Sequence, residues 1–215
     1  MPDTTLFLFR NDLRLGDNPA LAAACRSGQS LLLVYVLDTS DESWSPGGAS
    51  RWWLHHSLSA LEEAIAKQGG KLILRRGDTL AILEDIINQA GVTKLFFSRG
   101  YEPGQRRIED AIYDQWHEQI EVKRYGGHLL FEPEQVRTNN DDPYKVFTPF
   151  WKACLQHPEP GISKSPSLKQ VRFRRAQIDS DELESWQLLP KKPDWAAGLR
   201  ENWQPGEIGA KKVLK

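Results

Sequence analysis

Cysteine is nearly absent. Cys25 and Cys154 are the only two in 215 residues, far apart and without CxxC spacing, which excludes a disulfide framework and a thiolate zinc site. Each lies among apolar neighbours in a predicted helix and is expected to be a buried, reduced thiol. An excess of either charge is also lacking: 28 Lys and Arg face 29 Asp and Glu, for a net charge of -1. The chain as a whole offers no attraction to a polyanion, so any nucleic-acid footprint has to be a local patch. No apolar run is long enough to span a bilayer, and the first residues lack the basic segment and apolar core of a secretion signal. These absences lead to the expectation of a cytoplasmic monomer with no membrane partner. Glycine-rich phosphate loops are missing as well: Gly47-Gly48 and Gly69-Gly70 are too short, and neither GxGxxG nor a Walker pattern occurs. His55 and His56 are adjacent, point apart on a helix, and are read as solvated or capping side chains rather than metal ligands. No Cys and His cluster, and no Ser, His and Asp set, suggests a metal centre or a nucleophile.

What the chain does carry is an alternation. Residues 6–9, Leu-Phe-Leu-Phe, form a short apolar run suited to a strand covered on both faces. Similar runs recur at 31–36, 71–74, 93–97 and 120–125, with a helical pattern between each pair. Asp17 or Asn18 can cap a helix opened by Pro19. Trp53, Leu54, Leu58, Leu61 and Ile65 fall at three- and four-residue steps, predicting a helix over 50–67 with Trp53 turned inward. Leu80, Leu83, Ile86 and Ile87 mark another helix, and Ile108, Ile112 and Trp116 a further one. Five strands alternating with helices through short connections predict an α/β fold: a doubly wound, five-stranded parallel sheet of Rossmann-like type.

The rhythm fails after Gly126. A helix is expected over 148–156, begun by Thr148-Pro149. Six prolines between Pro158 and Pro205, without apolar periodicity, predict a long irregular carboxyl-terminal linker wrapped over a surface. Within it Lys164, Lys169, Arg172, Arg174 and Arg175 are basic, and Asp179, Asp181, Glu182 and Glu184 reverse the sign at once.

Open α/β sheets place ligands at the carboxyl ends of their strands. Here that edge presents Arg10, Asn11, Asp12 and Arg14 after the first strand, Asp38 and Trp44 after the second, and Arg99, Tyr101, Glu102, Gly104 and Gln105 after the fourth. Guanidinium forks suit anions, and Asn offers both a donor and an acceptor, so Arg10 and Asn11 are read as ligand-facing. Asp12 and Arg14 are read as internal contacts that shape the turn. Asp38 and Trp44 supply a polar anchor and a flat ring. The N–H groups of the helix opened by Pro103 and Gly104 suit a negative ligand group.

Residues 9–21, Phe-Arg-Asn-Asp-Leu-Arg-Leu-Gly-Asp-Asn-Pro-Ala-Leu, resemble the opening motif of the DNA photolyase and cryptochrome family. Further resemblances follow in the family's order at Ser50-Arg51-Trp52-Trp53-Leu54, Tyr101-Glu102-Pro103 and Tyr144-Lys145-Val146-Phe147-Thr148-Pro149-Phe150. The resemblance implies the amino-terminal, antenna-binding α/β domain over residues 1–130, an interdomain connector over 131–203, and, from Trp203-Gln204-Pro205-Gly206 onward, the start of a helical FAD-binding domain over 204–215. It implies an antenna chromophore at the strand ends, either a deazaflavin, a flavin or a methenyl-folate. Folate-binding members carry an Asn-Glu pair where this chain has Gly104 and Gln105, so the carboxylate that would pair with a pterin is missing. Lys145, Phe147, Phe150 and Trp151 are implied to face the second domain. That domain would hold FAD and damaged DNA and perform light-driven repair of pyrimidine dimers, a carbon–carbon lyase reaction, so no residue of this chain is expected to be catalytic by itself. A cryptochrome photoreceptor fragment and a stand-alone nucleotide-binding module are the alternatives.

Overall fold

The computed structural model describes residues 3–40, 46–158, 168–175 and 177–214. Its centre is β1 (Thr4–Phe9), every residue of which is buried. Around it lie β2 (Ser30–Asp38), β3 (Leu72–Gly77), β4 (Val92–Ser98) and β5 (Glu121–Tyr125), all parallel, in the order β3-β2-β1-β4-β5. The predicted doubly wound sheet is therefore present. Order reverses between β1 and β4, which opens a crevice at their carboxyl ends.

Alternation along the strands divides the core in two. Phe7, Phe9, Leu31, Leu33, Leu74 and Phe96 face α1 (Pro19–Cys25) and α2 (Gly48–Ala66). Leu6, Leu8, Leu32, Val34, Ile73, Leu95 and Phe97 face α3 (Thr79–Ala90) and α4 (Pro103–Trp116). Each large apolar side chain so buried contributes roughly 1.5–3 kcal/mol. Asn18 is the cap of α1, accepting from Leu21 N at 3.0 Å, with Pro19 at the first helical position. Asp78 caps α3 through Ala81 N at 2.8 Å, and Gly91 ends it in the left-handed conformation at φ 63°.

Two readings of α2 need correction. Trp53 is 40% exposed, whereas Trp52, on the side of the helix away from Leu58 and Leu61, is 1% exposed. The inner stripe is not the helix's one contact, because part of its outer side is covered too. Its inner stripe lies on the sheet, while Gly206 packs against Ala60 on the outer side and Trp203 meets Trp53 edge to face at 5.8 Å. His55 is buried and therefore not a solvated side chain, while the half-buried His56 sits edge-on to Trp52 at 4.4 Å.

The proline-rich connector also does more than cover a surface. Arg172 O accepts from Leu31 N at 2.8 Å and Arg174 N donates to Leu31 O at 2.9 Å, extending the sheet beside β2. Ser180 and Asp181 then pair with Leu74 on the outer edge of β3, at 3.1 and 2.7 Å. An open edge is thereby closed. Leu168, Leu183, Trp186 and Leu188 join the core on the α1 and α2 side, and Ile178 crosses to the other. Periodicity could not show this because the segment contributes isolated residues rather than a stripe. Near the end come α6 (Ala197–Asn202) and α7 (Glu207–Val213); the Glu207 carboxylate accepts from Leu15 N at 2.8 Å and Gly16 N at 3.1 Å, tying α7 to the loop after β1.

Helix α5 (Phe147–Gln156) stands apart. Only Cys154 of it is buried, while Phe147, Phe150, Trp151 and Leu155 are exposed. Cys25 is half-buried and Cys154 buried, both as free thiols; burial pushes the Cys25 thiol up to about 11, the weaker pull of Arg26 notwithstanding.

Candidate functional site

Two adjoining cavities lie at the carboxyl ends of β1 and β2. The first, about 180 Å³, is walled by Arg10, Asn11, Tyr35, Asp38, Thr79 and Gln105, with Leu8, Phe9, Val36 and Ile108 supplying apolar surface. The second, about 320 Å³, shares Asp38, Thr79 and Ile108 and adds Ser40, Asp78, Leu80, Gly104, Arg107 and Ala111. Together they reach the lower half of the size range of small-molecule sites, enough for one ring system with a short substituent.

A buried polar network holds this edge in shape. Asp12, 1% exposed, accepts from Arg10 N at 2.9 Å, Asn18 Nδ2 at 2.9 Å and Ser98 Oγ at 2.6 Å. It thus joins the end of β1, the cap of α1 and the end of β4. Arg14 donates to Asp17 O at 2.9 Å and Gly127 O at 2.7 Å, so its role is to fix the turn, through carbonyls rather than a carboxylate.

Arg10 lines the first cavity, but its guanidinium is engaged. Nη1 pairs with the buried Glu109 carboxylate and Nη2 donates to Gln105 O at 3.2 Å. Glu109 also accepts from Gly100 N and from Arg124 Nη1 at 3.1 Å. A Cβ on Gly100 would lie 2.5 Å from the Gln105 side chain, so the close turn into α4 requires glycine there. Asn11 is exposed beside the cavity with no hydrogen bond of its own among the described residues. Asp38 accepts from Ser40 N at 2.8 Å, Ser40 Oγ at 2.5 Å, Thr79 N at 3.2 Å and Thr79 Oγ1. Burial alone would raise its pKa; these four bonds outweigh that and hold the carboxyl below its ordinary value.

Arg99 and Tyr101 are placed elsewhere. Neither lines either cavity. Arg99 forks onto Glu134 at 2.6 and 2.8 Å and reaches Glu132 at 3.1 Å, while lying over the Tyr101 ring at 5.3 Å. The Tyr101 hydroxyl donates to Glu132 at 2.8 Å. The Glu134 hydrogen bond raises the Arg99 pKa, burial raises that of Tyr101, and Arg99 holds Glu134 down at about 2. Glu102 is exposed and takes Gln105 Nε2 at 3.2 Å, leaving the first turn of α4 without a side-chain cap. Trp44 lies outside the described residues.

Sequence reading missed Thr79, Ile108 and Tyr35 as walls, and Glu109 as the residue that occupies Arg10. A signal for Glu109 existed: with Ile112 and Trp116 it falls on the inward stripe of α4, where an acid demands a cation. The four exposed residues predicted to face a second domain do share one place, around α5, where the Phe147 and Trp151 rings stack at 6.3 Å and Phe150 lies 6.3 Å from Tyr144.

Fold and site together define a doubly wound α/β domain with a cleft at the carboxyl edge of its sheet, where such folds place ligands. The model of the DNA photolyase family matches residues 5–169, and the chain belongs to that family. It is 39% identical over 203 residues to the deoxyribodipyrimidine photo-lyase of Agrobacterium fabrum, covering 94% of this chain and 42% of that protein. Cryptochrome-1 of Arabidopsis thaliana is 36% identical over 212 residues, covering 96% of this chain and 30% of that protein. The crystal structure of a bacterial class III photolyase from Agrobacterium tumefaciens matches 100% of this chain and 44% of its own, with a TM-score of 0.91 at 37% identity. The chain thus corresponds to the amino-terminal α/β domain of photolyases and spans less than half the length of these relatives.

Proposed function

We propose that this chain is the antenna domain of a deoxyribodipyrimidine photo-lyase, and that the paired cavities at the ends of β1 and β2 seat a flat light-absorbing heterocycle. The observation that carries this is the cleft itself: an apolar floor of Leu8, Val36 and Ile108 under a rim of Asn11, Asp38, Thr79 and Gln105. The floor suits a ring face and the rim suits its heteroatoms. When bound, such a pigment absorbs light and passes the excitation on. The chain's own residues bind and orient it. The Asn11 amide, with no competing bond among the described residues, supplies both a donor and an acceptor. Asp38, fixed by Ser40 and Thr79, presents negative charge at the junction of the two cavities. Gly104 lines the second cavity in the first turn of α4, which has no side-chain cap and whose backbone N–H groups favour an electron-rich edge of the ligand. A deazaflavin or flavin fits this rim better than a methenyl-folate, because no carboxylate stands at Gly104 or Gln105.

In this reading the exposed face of Lys145, Phe147, Phe150 and Trp151 meets a second, helical domain that binds FAD and the damaged DNA. The identity to a cryptochrome favours a second reading in which the same two-domain architecture signals rather than repairs; a repair assay on a two-domain protein built on this chain separates them. The antenna reading is tested by titrating the chain with deazaflavin, FMN and methenyl-folate while following absorbance and melting temperature, since a ligand selective for the folded state raises its stability. Ile108→Trp, which fills the wall common to both cavities, is expected to abolish the effect. Melting unchanged by all three pigments contradicts the proposal.

A further inference from the structure

Among the described residues the first cavity has a single basic side chain in its wall, Arg10, and both terminal nitrogens of that guanidinium are bonded to protein. The residue that commits it lines neither cavity. Glu109 is buried on α4, and one of its oxygens takes Nη1 of Arg10 together with Gly100 N, while the other takes Nη1 of Arg124 at 3.1 Å. Nη2 of Arg10 then reaches the main-chain oxygen of Gln105 at 3.2 Å, and Gln105 stands on the rim. A chain of contacts thus runs from a buried acid, through a charged fork, to the edge that faces a ligand. A guanidinium is planar and donates in fixed directions, so with Glu109 holding one arm the other is aimed at Gln105. The acid also cancels the charge of Arg10 at the cavity wall, where partial burial makes an uncompensated cation act more strongly than it does in water. Next to Asp38, what remains for the heteroatoms of a ligand is the neutral amides of Asn11 and Gln105 and the hydroxyl of Thr79.

We propose that Glu109 is the positioning residue of the pigment cleft: by fixing Arg10 it sets the place of Gln105 on the rim and withholds the guanidinium charge from the pigment. This role rests on the pigment reading of the cleft. Riboflavin and FMN share one ring system and differ by a phosphate, so the ratio of their affinities reports charge at the cleft, whereas a general loosening of the fold weakens both alike. Fluorescence titration of the parent chain, Glu109→Gln and Arg10→Lys with each pigment, well below the melting temperature, tests the role. In Glu109→Gln the released Arg10 is expected to shift the ratio toward FMN by at least threefold and to move the absorption maximum of the bound ring. Arg10→Lys keeps the charge pair with Glu109 but has no second arm for Gln105. It is expected to weaken both pigments by at least threefold with the ratio unchanged, and to displace the Gln105 amide resonance in the ligand-free chain. Should Glu109→Gln not fold, Arg10→Lys alone decides. A ratio unchanged in Glu109→Gln, or an Arg10→Lys chain that binds as the parent does with Gln105 unmoved, overturns the role. If the parent binds neither pigment, the pigment reading has failed and this role falls with it.

Discussion

The guanidinium of Arg10, 13% exposed, rests on the carboxylate of Glu109, which is 1% exposed and takes Arg124 on its other oxygen. One acid on α4 therefore ties the ends of β1 and β5 together and, through Gly100 N, the end of β4 as well. Glu109→Gln leaves a nearly buried cation without its counter-charge, which costs about 3 kcal/mol. Urea unfolding of parent and variant measures this, and a loss under about 1 kcal/mol would show that the pair is not structural.

Asn18 performs two tasks at once, capping α1 through Leu21 N and donating to the buried Asp12 carboxylate. Asn18→Ala removes the cap, at about 1 kcal/mol, and strips Asp12 of one donor, at about 1–3 kcal/mol more. Asn18→Asp keeps a cap but sets two carboxylates together, so it is expected to be no better than the alanine variant. Chemical denaturation of the three proteins checks the order.

The pH dependence of Asp38 follows from its lowered pKa. A group more acidic in the folded than in the unfolded chain adds stability above its unfolded pKa and loses it as pH falls through the folded one. Asp38→Asn is accordingly expected to be destabilised by about 1 kcal/mol at neutral pH, with the gap closing in acid once the parent carboxyl is also neutral. Melting temperatures across the acid range read this; a gap that stays constant or widens toward low pH contradicts it.

Phe147 is 72% exposed at the first position of α5, and its ring stacks on that of Trp151. Phe147→Asp should leave the stability of this chain within about 0.5 kcal/mol, since it removes little burial and puts an acid at a helix amino end. Thermal melting tests this, and a large loss would place the aromatic face in the core of this domain.

Much of this molecule was legible in its sequence, for reasons visible in particular residues. The all-apolar run of β1 and the alternation of strands with helical stripes gave the sheet, because each element buries a continuous face. The connector was not legible, because Ile178, Leu183 and Trp186 reach the core singly from an irregular chain. Trp53 is exposed and Trp52 buried, which the stripe could not show because part of the helix's outer side is covered as well. At the site, position along the strand ends placed Arg10, Asn11, Asp38, Gly104 and Gln105 around one cleft. It could not separate Arg99 and Tyr101 from them, because their partners Glu132 and Glu134 lie some thirty residues away in a segment without pattern.

Amide chemical-shift mapping of the labelled chain during titration with a deazaflavin or FMN addresses the pigment cleft residue by residue. Saturable shifts centred on Asn11, Asp38, Thr79, Gln105 and Ile108, with Arg172 to Arg175 unmoved, are the expected result. Shifts centred on Arg99, Tyr101 and Glu132 instead, or none at all with any of the pigments, would contradict the account.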